Sequence, residues 1–128
     1  MKSVGIIGGL GPESTVDYYR RILAAWERED PSTSPSIIID NLDVQLALRL
    51  VESDRPALTE YLLASLHRLA GAGVDFAVMT ANTPHIVFDE LAARSPSAGN
   101  SQGWSFVVLE GSAQIGRASC RERVWIPV

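Results

Sequence analysis

Residues 79–85 read MTANTPH. Asn82 and Thr83 bring amide and hydroxyl groups, and His85 brings an imidazole, a group that can act as general acid or base. Thr80 adds a hydroxyl. Ala81, in the middle, carries no functional group. The stretch follows an apolar run at 74–78 that reads as a buried strand, and strand ends are where α/β proteins place their chemistry. A second stretch with chemical content is GGLGP, residues 8–12. The backbone N–H groups of such a loop, with the positive end of a following helix, can hold an anion. A third is DNLD, where Asp40 and Asp43 could meet an ammonium group, although solvated loop charges are the commoner case.

Each feature has a plainer reading. Asn82, Thr83 and Pro84 are also what starts a helix after a turn. A lone histidine at a helix start, such as His85, is more often structural than catalytic. Glu13 at a helix N-terminus is more often a charge that complements the helix dipole than a catalytic acid. For the glycine loop three occupants compete. Gly9-x-Gly11-x-x-Ser14 is close to the dinucleotide pattern G-x-G-x-x-G/A, with Asp40 as the ribose-binding acid. Against that, the third small position is Ser14, Glu13 would face the pyrophosphate with like charge, and Asp40 lies further along than the pattern prefers. No lysine follows the glycines, so a nucleotide phosphate loop of the G-x-x-x-x-G-K type is absent. A small carboxylate held by the backbone amides of the loop and the helix start ranks first, a ligand-free turn second and a dinucleotide third.

The elements that must position these stretches follow from periodicity. Residues 2–7 read as a first strand that breaks into the glycine loop. Pro12 suits a first helical turn, and Val16, Tyr19, Ile22, Leu23 and Trp26 recur at helical spacing as one apolar stripe. That helix ends near Asp30, because Pro31 disfavours helix in the residue before it. Tyr18, Tyr19 and Trp26 are thereby expected in the core. Residues 37–39 form a second buried strand, and 42–52 a short helix. Ser53 or Asp54 caps a further helix with Leu58, Leu62, Leu66 and Leu69 on its buried side, stopping at AGAG, residues 70–73. His67 sits on its surface. Residues 74–80 are the third strand, 85–94 a short helix, and 105–109 a fourth strand. Alternating strands and helices predict an α/β lobe of three layers, with a roughly four-stranded, mainly parallel sheet.

Bulk properties narrow the classes. The chain has 128 residues, enough for one domain with a real core, and a hydrophobic content of 46%. A net charge of −4 offers no basic surface for nucleic acid. No apolar run reaches the roughly 18 residues of a membrane span, and the N-terminus lacks the pattern of a signal peptide, so a cytoplasmic location is expected. The single cysteine, Cys120, excludes an internal disulfide framework and a cysteine-cluster metal site. Residues 115–124, IGRASCRERV, concentrate three arginines and closely resemble a translated sequencing-library adapter. The expected organisation is therefore an α/β lobe over 1–114 followed by a non-native tail over 115–128.

Two segments together, GIIGGLGPESTVDYYRRI (5–22) and AGVDFAVMTANTPH (72–85), resemble the N-terminal half of the aspartate/glutamate racemase family. The resemblance covers roughly residues 2–96. It implies a parent of two related α/β lobes with the active site in the cleft between them, a small acidic amino acid as substrate, and a candidate homodimer. It implies catalysis without pyridoxal phosphate or metal, by two cysteines, one per lobe, that remove and return the α-proton from opposite faces. Gly9, Leu10, Asn82 and Thr83 then become substrate-holding residues, with His85 and Thr80 as further candidates.

The chain departs from that pattern in two places. The first-lobe cysteine would immediately precede Asn82, where this chain has Ala81. Thr80 is one residue off, so on an extended strand it should point to the other face. The second lobe is missing, and Cys120 is no substitute because it lies inside the adapter-like string. The expectation is an N-terminal racemase lobe, itself inactive, with an apolar face left uncovered that favours self-association. Two other classes compete: a non-catalytic carboxylate-binding protein of the same fold, motivated by Ala81, and a Rossmann-type nucleotide-binding module.

Overall fold

The computed structural model describes residues 3–81, 86–94 and 125–127. Its elements are β1 (Ser3–Gly8), α1 (Pro12–Glu29), β2 (Ser36–Asn41), α2 (Val44–Ser53), α3 (Arg55–Gly71), β3 (Phe76–Met79), α4 (Phe88–Ala93) and β4 (Trp125–Pro127). The sheet order is β2-β1-β3-β4. β1 pairs in parallel with β2, from Ser3 opposite Ser36 to Gly8 opposite Asn41, and with β3, from Val4 opposite Phe76 to Ile7 opposite Met79. β4 joins β3 antiparallel. The expected strand over 105–109, the adapter-like string over 115–124 and Cys120 lie outside the described residues.

Alternation along β1 and β3 sends side chains to two faces, and helices cover both. On one face Ile7, Ala77 and Met79 meet Leu58, Leu62, Leu66 and Leu69 of α3, as the leucine spacing predicts. All four leucines are buried, and each contributes about 1.5–3 kcal/mol of burial. On the other face Val4, Ile6 and Val78 form a smaller cluster, against which Ile22 of α1, Ile37 and Phe76 pack. These are the three expected layers.

α1 sits differently from its predicted stripe. Its one buried residue is Thr15, with Ile22 half-buried seven positions on. Val16 and Tyr19 are exposed, and Tyr18 and Trp26 are only half-buried, so none of these aromatics is a core residue. The physical reason is the small size of the apolar cluster beneath the helix. A hydroxyl at position 15 takes the inward line because it has hydrogen bonds to make there, which rotates the apolar stripe toward solvent.

Local caps explain the helix limits. The Asp43 carboxylate accepts from the amides of Gln45 and Leu46 and opens α2. Asp54 closes α2 by donating its amide to the Leu50 carbonyl, and opens α3 by accepting from the Ala57 amide. After α1, the Asp30 carboxylate accepts from the Ser32 amide at 3.0 Å, the Ser32 hydroxyl at 2.6 Å and the Thr33 hydroxyl at 2.7 Å. Thr33 Oγ1 in turn accepts from the Trp26 indole at 3.0 Å.

Those bonds, the Ser32 hydroxyl first, hold the Asp30 carboxyl below its ordinary value of 3.8. A depressed carboxyl contributes stability above its unfolded value and loses it as pH falls through the folded one. The Trp26 indole N–H resonance should therefore hold its position from pH 7 down to about 4 and shift only below that. Asp30→Asn should abolish the step.

No described helix is long and apolar enough to cross a membrane. β1 is the central parallel strand, and the chain leaves it toward β2 on one side and β3 on the other. Parallel α/β sheets place their ligands at such a reversal, here beyond the C-terminal ends of β1 and β3.

Candidate functional site

At this reversal the glycine loop follows β1. Gly9 has φ +84°, a backbone conformation that side-chain-bearing residues rarely adopt. A Cβ there would lie 2.6 Å from the Leu42 carbonyl oxygen and 2.7 Å from Asn41 Oδ1. The end of β2 presses against the loop in this way because the Leu42 amide donates to the Gly8 carbonyl at 2.8 Å. At Gly8 a Cβ would come within 2.7 Å of Thr15 Cγ2, so α1 also approaches closely.

Thr15 organises the loop from the helix side. Its Oγ1 accepts the Gly9 amide at 3.1 Å and donates to the Gly11 carbonyl at 3.1 Å. The Thr15 amide also donates to Gly11 O, at 2.9 Å, as the first α-helical bond. One side chain thus closes the loop at both ends, with Leu10 at the turn and its side chain packed against the larger core cluster. Among the described residues, the amides of Leu10 and Gly11 find no acceptor, and no side chain caps the N-terminus of α1. These are donors at the positive end of a helix with Pro12 at its start, a setting that favours an anion.

Beside the loop lies the end of β3. The Thr80 amide donates to the Ile7 carbonyl at 3.4 Å, which continues the pairing of β3 with β1. The Thr80 side chain is 2% exposed and its hydroxyl lies 3.0 Å from Thr15 Oγ1 and 3.3 Å from the Ile7 carbonyl. Ala81, the next residue, is half-buried. A Cβ on Gly11 would stand 3.8 Å from the Thr80 carbonyl oxygen, so the loop and the strand end are immediate neighbours.

Of the residues singled out in the sequence, Gly9, Leu10, Thr80 and Ala81 come together here. Asn82, Thr83 and His85 lie outside the described residues. Asp40 is directed elsewhere: its Oδ2 accepts from the Ser65 hydroxyl at 2.6 Å and from Arg68 at 2.8 and 3.0 Å, pinning β2 to α3. Asp43 is engaged in capping, and its amide donates to the Tyr61 hydroxyl at 2.9 Å. Among the described residues there is no cluster of three or more His, Cys, Asp or Glu side chains that could hold a metal.

Thr15 is the residue that periodicity overlooked. Its signal was local: a threonine four residues after Gly11, in the first turn, is placed to bond back to the turn's own backbone. The apolar stripe beginning one position later at Val16 drew attention away from it.

Known proteins share this fold. The family model of the Asp/Glu/Hydantoin racemases matches residues 7–99, which takes in the loop, the strand end and everything between. Among solved structures, an Asp/Glu racemase candidate from Yersinia pestis is 32% identical, with a TM-score of 0.69 over 73% of this chain and 41% of its own. An aspartate racemase homologue from Pyrococcus horikoshii is also 32% identical, with a TM-score of 0.64 over 75% of this chain and 42% of its own. The chain therefore spans about two-fifths of the length of each. With the family match running from the end of β1 through the glycine loop and β3, the chain belongs to the Asp/Glu/Hydantoin racemase family.

Proposed function

We propose that this chain is the N-terminal lobe of a cofactor-independent amino-acid racemase, and that its own share of the work is to hold the substrate carboxylate. The observation that carries the reading is the glycine loop at the start of α1, whose Leu10 and Gly11 amides find no acceptor among the described residues, set directly against the strand end where the resemblance expects the first proton-transfer residue. Backbone amides that hold a carboxylate also stabilise the negative charge that develops when the adjacent carbon loses its proton. Asn82 and Thr83 follow at once in sequence and supply further donors of the type that a carboxylate accepts.

Inverting a carbon centre requires a base on one face and an acid on the other. The lobe has a methyl group at Ala81 where the first of these belongs, so it binds without removing the proton. The same residue keeps a second reading in play, in which the whole protein binds a small carboxylate and catalyses nothing. A nucleotide-binding role is disfavoured, because Asp40 is tied to Ser65 and Arg68 and is not available to a ribose.

Titration with L-aspartate or L-glutamate should raise the melting temperature of the chain, and NAD or ATP should leave it unchanged. A shift with nucleotide alone would overturn the reading.

A further inference from the structure

We infer that Thr15 and Thr80 form a positioning pair, a hydroxyl latch that sets the glycine loop against the end of β3 and so fixes the loop amides relative to residue 81. The inference rests on the carboxylate-holding reading of the loop and adds to it the residues that hold the holder.

The two threonines are 65 residues apart in sequence, and their oxygens meet at 3.0 Å. Both are buried, at 6% and 2% exposure, so neither side chain is a surface donor for substrate. Each hydroxyl carries one proton. Thr15 Oγ1 accepts from the Gly9 amide, and its own proton goes to the Gly11 carbonyl. With that proton on Gly11 O, the single Thr80 proton is shared between Thr15 Oγ1 at 3.0 Å and the Ile7 carbonyl at 3.3 Å. This closed set joins β1, the loop, α1 and the end of β3 through two side chains.

A buried donor left without a partner is costly, so the set resists partial opening. If the loop moves outward, the Gly9 amide and the Thr15 hydroxyl lose their partners together, and Thr80 keeps only the Ile7 carbonyl. Leu10 and Gly11, which lie between the two points held by Thr15, keep their amides in one place as a result. A loop closed on a single hydroxyl but unlinked to β3 would hold its shape and drift as a body relative to residue 81. The Thr80 hydroxyl removes that freedom.

Valine has the shape of threonine without the hydroxyl, and serine keeps the hydroxyl, so the pair separates bonding from packing. L-aspartate binding is measured by calorimetry well below the melting temperature, with backbone amide NMR of the ligand-free protein alongside. Thr80→Val should weaken binding about tenfold, the worth of one well-placed hydrogen bond, and shift the Leu10 and Gly11 resonances. Thr80→Ser should restore both. Thr15→Val should act in the same direction, and takes the place of Thr80→Val if that variant does not fold.

A lower melting temperature with unchanged affinity and unmoved Leu10 and Gly11 amides would overturn the latch, because that is the signature of a packing role alone. Absence of aspartate binding by the unaltered chain would instead sink the carboxylate reading. In that case the ligand-free resonances of the valine and serine variants still decide whether the latch exists.

Discussion

Replacing Ala81 by cysteine should produce exchange of the Cα proton of aspartate for solvent deuterium, where the unaltered chain gives none. A positioned general base contributes about 10²- to 10⁴-fold, so exchange at least about a hundredfold above the unaltered chain is expected. The site favours a thiolate. Residue 81 adjoins the loop at the positive end of α1, and a thiol in such a place titrates below its ordinary value of about 8.5. The exchange rate should therefore rise with pH and level off once the thiol is ionised. Ala81→Ser keeps the size and loses the acidity, and it should stay silent. Mass spectrometry of aspartate recovered from deuterated buffer reads the result directly. Exchange by the unaltered chain would show that a different group carries the base. Silence of the cysteine variant, with its thiol demonstrably reactive and aspartate bound, would remove residue 81 from the chemistry.

The largest effect on stability is expected at Gly9. Alanine there must adopt φ +84° and place its methyl 2.6 Å from the Leu42 carbonyl oxygen and 2.8 Å from the Leu42 nitrogen. Both are backbone atoms, and Leu42 is held to Gly8 by a hydrogen bond, so neither can withdraw cheaply. Backbone strain and overpacking together should cost about 3 kcal/mol or more. That corresponds to a fall in melting temperature of at least about 10 °C. Two control substitutions divide the cost. Gly73 has φ +90° with nothing within 4 Å of a Cβ, so Gly73→Ala reports the conformational strain alone. At Gly11 φ is −151° and the nearest atom to a Cβ is 3.5 Å away, so Gly11→Ala should cost far less than Gly9→Ala. Equal losses at all three positions would show that the close approach of β2 to the loop is not what makes Gly9 necessary.

Much of the fold could be read from residue types because local signals and burial agreed. Pro12 opens α1, Asp54 caps α3, and the leucines from 58 to 69 face the sheet as their spacing requires. The agreement failed on α1, where periodicity identified a stripe but could not say how much sheet lay beneath it. Only Ile22 of that stripe reaches the smaller cluster, and the truly inward residue is a threonine. The site was legible as two strand ends that an α/β sheet must bring together, and Gly9 stands where its residue type demanded. What could not be read was the role of Thr80. As a hydroxyl beside an empty position it invited a place among the substrate ligands, whereas it spends its bonds on Thr15 and the Ile7 carbonyl. A hydrogen bond across 65 residues leaves no trace in spacing. Asp40 illustrates the same limit: its partners, Ser65 and Arg68, sit one helical turn apart on α3, and only the docking of that helix reveals them.

The double duty of Asp54 leaves no slack between α2 and α3. One residue ends the first helix and begins the second, so a single inserted amino acid at this elbow would turn α3 by about 100° relative to α2. Leu58, Leu62, Leu66 and Leu69 would swing off the sheet together, and Arg68 would lose Asp40. Length at this joint is thus fixed as firmly as any side chain. Tolerance for grafted tags, linkers or inserted loops should lie instead at the exposed Ser34 between α1 and β2, beyond the bonds that tie Ser32 and Thr33 to Asp30.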